Sequence, residues 1–394
     1  MKKSNMIKIA TGLAFTLLTT TSISAISWKH KNAGSDAKLV MFGFSQINAD
    51  MGDGAINKDS DSKVKFGADR IRLGWKYFSG NVVGKVFLDF NQATDKKEDT
   101  GFRRVMKDAF VGYNFNNNLQ VKAGLIKTPV GMGFTIPGWN LDVIKRGFDK
   151  KLAFERGAGL MLSGRDMGFG NNAKVNGLEM GHERPWKGFG YDLMIANQTT
   201  RSGAVKESNH KDSEGNAYMG RVMFDWGQEL HTELSYGTSP MAGGTKDSKD
   251  YNVLNFGVDS HLGRSNLKFE YYDVKNIQGR DGWDMSTTAV TGTYFITDTV
   301  ELAVKDIRGS EKLDRQTSDV SNTYLGVNFY LNPANNKMDR SNKRKRNSHK
   351  VMINYVVAGG DTKTFNVSQD ENFKGKTGSF YRDDAILAQY QFKF

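Results

Sequence analysis

The chain has 394 residues, with 43 Gly, five Pro, no Cys, 38% hydrophobic residues, and 55 Lys+Arg against 43 Asp+Glu. That composition excludes a polytopic helical membrane protein, a disulfide framework and any thiolate-based metal, redox or catalytic site. It does not suggest disorder, because 11% aromatic residues supply ample apolar surface.

The first 25 residues read as an export signal, which leaves 26–394 as the mature domain. Lys2, Lys3 and Lys8 form a basic start, Ile9 to Leu18 a short apolar stretch, and Ser22, Ser24 and Ala25 a small-residue cleavage region. Cleavage after Ser24 fits the small-x-small rule better than cleavage after Ala25. The stretch is too short to span a bilayer, which takes about 20 apolar residues. The rival reading is an amphipathic anchor that stays attached. The segment carries three lysines and no acid, so its removal leaves the chain at +9.

Beyond it, period-two alternation recurs in runs of about ten residues, broken by Gly, Asn, Asp and Ser. Ile71, Leu73, Trp75 and Tyr77 share one face, and Arg70, Arg72, Gly74 and Lys76 the other. Val82, Val86 and Leu88 oppose Lys85, Phe87 and Asp89, while Val121 and Ala123 oppose Gln120 and Lys122. Sixteen runs begin near 39, 66, 82, 103, 119, 155, 189, 217, 230, 251, 266, 286, 300, 322, 349 and 384. All five prolines fall between them, as the ladder requires. A sandwich would bury its apolar face in a core. A transmembrane barrel turns that face to lipid and its polar face to a water-filled lumen.

Connection lengths and aromatic residues favour the barrel. Ser79–Asn81, Asn116–Asn118, Gly263–Ser265 and Thr297–Thr299 are tight, whereas 92–102, 128–153, 198–216, 238–250, 275–285, 308–321 and 359–383 are long. Runs descending toward the tight turns finish in Trp75/Tyr77, Tyr113/Phe115, Phe224/Trp226, Tyr294, Phe329 and Phe392/Phe394, which suits an aromatic belt at one interface. The expectation is an all-β, antiparallel transmembrane barrel of about 16 strands in the bacterial outer membrane, in contact with its lipid.

A narrower likeness rests on three segments. Leu39–Asp50 resembles the first strand of the phosphate-selective porin family. Ala109–Tyr113 followed by Leu119–Gly131 is similar to its best-marked segment, and Phe154-Glu155-Arg156-Gly157 resembles the Glu-Arg pair after its long third loop. Sequence likeness is clear across about 39–165, and the terminal Phe394 looks like the closing signature of outer-membrane barrels. The resemblance implies a 16-stranded trimeric channel passing anions through a constriction lined by Arg and Lys. Two features depart from it. The connection 165–187, which should be a short turn, runs to some twenty residues, and inward bases barely outnumber inward acids, ten to eight.

The residues expected to line the constriction are Arg70, Arg72, Lys122, Lys127, Lys145, Arg146 and Arg221. The loop 128–153 supplies Lys145 and Arg146 if it folds inward, as the resemblance suggests. Rings of Arg and Lys favour anions or phosphate in confined pores. Lys150 and Lys151 read as surface charges facing anionic lipid. Lys343-Arg344-Lys345-Arg346, in the connection 333–348, reads as an exit attractor or a solvated turn; the export signal argues against nucleic acid.

Enzymatic readings find little support. None of His30, His182, His210, His231, His261 and His349 forms a pair at helical metal-ligand spacing. Ser265 and Asn266 lie too far from His261 for a lipase arrangement, and Asp383-Asp384 has no accompanying His. The expectation is therefore a porin for passive diffusion of small anions, with phosphate or a related oxyanion as the candidate solute and with no cofactor or catalytic residue. The alternatives are a general diffusion porin and a non-conducting structural or adhesive barrel.

Overall fold

The computed structural model describes residues 27–32, 35–52, 64–92, 105–168, 187–197, 215–227, 229–240, 249–331, 348–361 and 380–394. The signal segment, Lys343–Arg346 and the interior of the connection 165–187 lie outside them.

A short strand, β1 (Ser27–Asn32), is followed by sixteen that close into a cylinder. On the first side of the wall these are β2 (Ser35–Gly52), β3 (Lys65–Ser79), β4 (Val82–Asp89), β5 (Met106–Asn116), β6 (Leu119–Lys127), β7 (Arg156–Met167), β8 (Lys187–Asn197) and β9 (Asn216–Trp226). The wall continues through β10 (Leu230–Ser239), β11 (Tyr251–Leu262), β12 (Ser265–Lys275), β13 (Asp284–Phe295) and β14 (Val300–Leu313). It ends with β15 (Gln316–Tyr330), β16 (His349–Gly360) and β17 (Ala385–Lys393). Each pairs antiparallel with its sequence neighbours, and β17 returns to β2 with Ala385 opposite Gly52 and Lys393 opposite Phe44. Phe394 and Gly43 exchange both backbone hydrogen bonds, at 3.1 and 3.2 Å, so the last residue completes the seam. Closure satisfies every ladder without an open edge, the condition for crossing lipid with strands.

β1, which the alternation did not foretell, covers the part of β2 that β17 cannot reach. It pairs with Ser35–Val40, just before the seam begins at Gly43. A bare edge there would present unpaired amides.

The alternation resolves as expected. Ile71, Tyr77, Val86, Val111, Val222, Leu267, Val304 and Tyr355 are exposed on the outer face, and their strand neighbours are less exposed, buried beside Val222, Leu267 and Tyr355 and half-buried beside Ile71, Tyr77 and Val111. The aromatic residues gather at the tight-turn end, with ring pairs Tyr113–Phe115 at 4.8 Å, Phe224–Trp226 at 6.5 Å and Phe392–Phe394 at 5.6 Å. One connection differs from expectation. Residues 308–321 are not a long loop: β14 and β15 meet in a two-residue turn, Asp314-Arg315, with φ of 49° and 74°. Both residues occupy the left-handed region that a tight hairpin demands, and no Gly or Asn there signals it. At 14 and 15 residues, these strands exceed the roughly 9–11 that a tilted strand needs to span lipid, so the hairpin continues past the membrane.

The lumen is not uniformly polar. The connection 128–153 folds inward, and its Phe134, Val143, Ile144, Phe148 and Leu152 join Phe154 in a buried cluster with Val253, Val274, Ile307, Tyr324 and Val356 from the opposite wall. Inward glycines make room for it. A Cβ on Gly237 would lie 2.6 Å from Phe154, and one on Gly257 2.7 Å from Met132. Gly257→Val is therefore expected to unseat the loop while leaving the barrel assembled. Planar-bilayer recording should give a larger single-channel conductance, with unchanged strand content by circular dichroism.

Candidate functional site

The inward loop is held by lumenal side chains that satisfy its backbone. Gly131 and Met132 donate N–H groups to Ser235 Oγ at 3.1 Å and Asn255 Oδ1 at 3.2 Å, and Gly133 donates to Glu270 Oε1 at 2.9 Å. Gln46 and Gln391 donate to the carbonyls of Gly138 and Trp139 at 3.0 and 3.1 Å. Lys350 and Asn328 do the same for Leu141 and Asp142 at 2.7 and 2.8 Å, and Ile144 N–H reaches Asn354 Oδ1 at 2.8 Å. Ion pairs add Lys268–Asp142 and Lys305–Asp149. A buried backbone group without a partner costs about 1–3 kcal/mol, so these strands specify where the loop lies. β2 and β10–β17 supply the anchors, which leaves the open passage against β3–β9.

That passage includes a cavity of about 1290 Å³ of empty space open to solvent, lined by nine Lys or Arg and three carboxylates. The charges divide into two sets. One set is paired. Arg72 meets Asp89 at 2.8 Å, Lys85 meets Asp108 at 2.7 Å, and Arg156 meets Asp108 at 2.8 Å and Glu155 at 3.2 Å. Nearer the tight turns, Arg165 and Arg221 share Asp192, and Arg221 also meets Glu233 at 3.1 Å. His231 bridges Asp225 and Glu233 at 2.8 and 3.0 Å.

The other set consists of Arg70, Lys122, Lys127 and Arg146. Among the described residues, no carboxylate lies within ion-pair distance of any of the four. Arg70 donates to Gln46 Oε1, Lys127 to the Thr135 carbonyl at 3.1 Å, and Arg146 to the carbonyls of Gly133 and Ile136. Lys122 lies over the Phe110 ring at 5.9 Å and Lys127 over Phe134 at 4.7 Å. Burial in the loop, with repulsion from Arg70, Arg72 and Arg156, pushes the Arg146 guanidinium down to about 9, still charged at neutral pH. These carbonyl and ring contacts orient the cations without cancelling them.

The structure thus gathers Arg70, Arg72, Lys122, Lys127, Arg146 and Arg221 at one cavity and sends Lys145 elsewhere. Although adjacent to Arg146, Lys145 turns toward the β2–β3 wall, where it pairs with Asp69 and lies 3.8 Å from Asp50. The extended loop places successive side chains on opposite sides. Lys150 and Lys151 do not face lipid either: Lys150 lines the cavity and Lys151 is buried. Lys85 and Arg156 join the cavity from outside the expected set. Strand phase already turned Lys85 inward, and Arg156 belonged to the quoted Glu-Arg pair. Asp384 supports the hairpin end, accepting hydrogen bonds from Tyr355 Oη at 2.6 Å and Ala358 N at 3.1 Å.

Lys145→Met would leave two carboxylates buried without a cation, a change that typically costs about 3–5 kcal/mol. The expected result is a lower temperature for the heat-induced mobility shift on gels, with little change in ion selectivity.

No protein-family model and no curated protein matches the sequence. Solved structures do match the fold. The anion-selective porin from Comamonas acidovorans aligns over 91% of this chain and 100% of its own, with a TM-score of 0.57 and 15% identity. Salmonella typhi OmpF, in complex with daunomycin, aligns over 93% and 100%, with a TM-score of 0.59 and 12% identity. OmpT of Vibrio cholerae, expressed in the outer membrane, aligns over 93% and 100%, with a TM-score of 0.55 and 11% identity. With its closed cylinder of sixteen strands and inward third loop, this chain has the fold of the porin-type barrels of the bacterial outer membrane.

Proposed function

We propose that the protein is a passive diffusion channel selective for small anions, with phosphate or a related oxyanion among its solutes. One observation carries this reading: Arg70, Lys122, Lys127 and Arg146 face one cavity with no carboxylate paired to any of them among the described residues. A monovalent anion about 5 Å from one such cation gains roughly 1–3 kcal/mol, and a cation loses as much. Even at the lower figure the two differ by about 2 kcal/mol, or about thirtyfold in occupancy. The whole inner wall is a poor guide to this, because most of its acids and bases neutralise one another. The anions would be held by direct charge and by the planar donor forks of Arg70 and Arg146. Attraction spread over several sites lets a solute leave as well as enter. The three segments resembling phosphate-selective porins support an oxyanion as solute. The reading involves no catalytic step and no cofactor.

Trimeric assembly belongs to the same proposal. A solved Vibrio cholerae OmpT in trimer form, aligned over 91% of this chain with a TM-score of 0.56, gives it a precedent. A second reading, general diffusion, draws on the self-neutralised network of Arg165, Asp192, Arg221, Glu233 and His231, which favours neither sign.

Single-channel recording under a KCl gradient separates these readings. A reversal potential near that of chloride, with current reduced by added phosphate, is the expected outcome. Large ohmic conductance without preference would favour general diffusion, and no conductance would favour a structural barrel. The double variant Lys127→Gln/Arg146→Gln should move the reversal potential most of the way to zero while conductance persists.

A further inference from the structure

The cations without a carboxylate partner have apolar as well as polar neighbours. Phe87 and Phe110 line the cavity from β4 and β5, Ile126 and Met161 from β6 and β7, and Phe134 and Trp139 from the loop. The rings and the charges interleave. Lys122 lies over Phe110 at 5.9 Å, Lys127 over Phe134 at 4.7 Å, Lys85 over Phe87 at 5.1 Å and Lys393 over Trp139 at 4.8 Å. Inorganic phosphate or chloride would exchange its water for cations on one side and hydrocarbon on the other, and the hydrocarbon returns nothing to a hydrated ion. Beside the hydroxyls of Thr128 and Thr135 and the Asn140 amide, the path presents Phe110, Ile126 and Met161, which a path built only for such ions does not need. An apolar patch set beside convergent charges is how proteins hold organic molecules. The cavity's empty space, about 1290 Å³, is large enough for a small aromatic solute.

We propose that the channel prefers organic anions carrying a flat apolar group, such as aryl carboxylates and aryl phosphate esters, over inorganic anions of equal charge. The Lys127, Arg146 and Arg70 cluster takes the anionic head, and the half-buried Phe110, packed against the buried cluster that holds Ile126 and Met161, takes the ring. This rests on the anion-channel reading and names the class of solute within it. The same arrangement holds each lysine against a ring, and this keeps the ammonium groups apart and aimed into the passage.

The test is block of the KCl current by phenyl phosphate compared with inorganic phosphate at the same pH. Phenyl phosphate is expected to half-block at about tenfold lower concentration, the gain from burying one side of a benzene ring. In Phe110→Ala the two are expected to block about equally while the reversal potential stays toward chloride. Phe110→Leu keeps an apolar surface and should retain much of the difference, so a loss of preference in Ala alone is not ascribed to a misplaced lysine. Equal block by the two compounds in the parent channel, with chloride selectivity intact, would overturn this inference and leave the anion channel standing. Absence of anion selectivity would overturn both.

Discussion

Hydrocarbon offers no partner to a backbone amide, and everything in this protein follows from that constraint. Sixteen strands must close on themselves, so the terminal Phe394 must meet Gly43 and the remaining edge of β2 must be covered by β1. A closed sheet has an interior, and the interior must be either wet or packed. Here it is divided. One side is packed by the apolar residues of the third loop, chiefly against β11–β17 with a few residues of β6–β9, and the other stays open along β3–β9. The channel is what remains after the loop's own backbone groups have been satisfied.

That division also sorts the charges. Acids on the packed side are committed to hydrogen bonds: Glu270 to the Gly133 N–H of the loop, Glu301 to Asn328 and Tyr330, Glu311 to the Trp283 indole. Acids on the open side are paired to Arg72, Lys85, Arg156 and Arg221. A count of inward charges sees near-balance, because it weighs committed and uncommitted groups alike. The field along the passage is set by the few cations left over, and those sit on strands β3 and β6 and on the loop.

The barrel was legible because lipid enforces alternation over every strand, and Ile71/Arg72 or Val121/Lys122 display it without reference to anything distant. The turn at Asp314-Arg315 was not, since residues of ordinary turn propensity accept left-handed geometry when two long strands fix the register around them. The inner wall was misjudged at its packed end, where Val253, Val274, Ile307 and Val356 face inward. The signal lay in the loop itself: a connection holding Phe134, Val143, Ile144, Phe148 and Leu152 cannot rest in water, and inward valines opposite it are its complement. Lys145 and Arg146 show the limit of linear reading. Two neighbouring cations of like chemistry part company, one into an acid pair and one into the passage, by a half-turn of backbone that only the docked loop defines.

The anchors of that loop have a temporal meaning. Residues 131–146 are fastened by side chains from Ser235 to Gln391, that is, by strands that come roughly 100 to 250 residues later in the chain. An assembling wall that has only its first eight strands in place holds few of the loop's partners, namely Gln46, Asp50, Asp69 and Lys127. The loop therefore gains its full set of fastenings only when both halves of the cylinder are present, so that sealing the wall and narrowing the passage are one event.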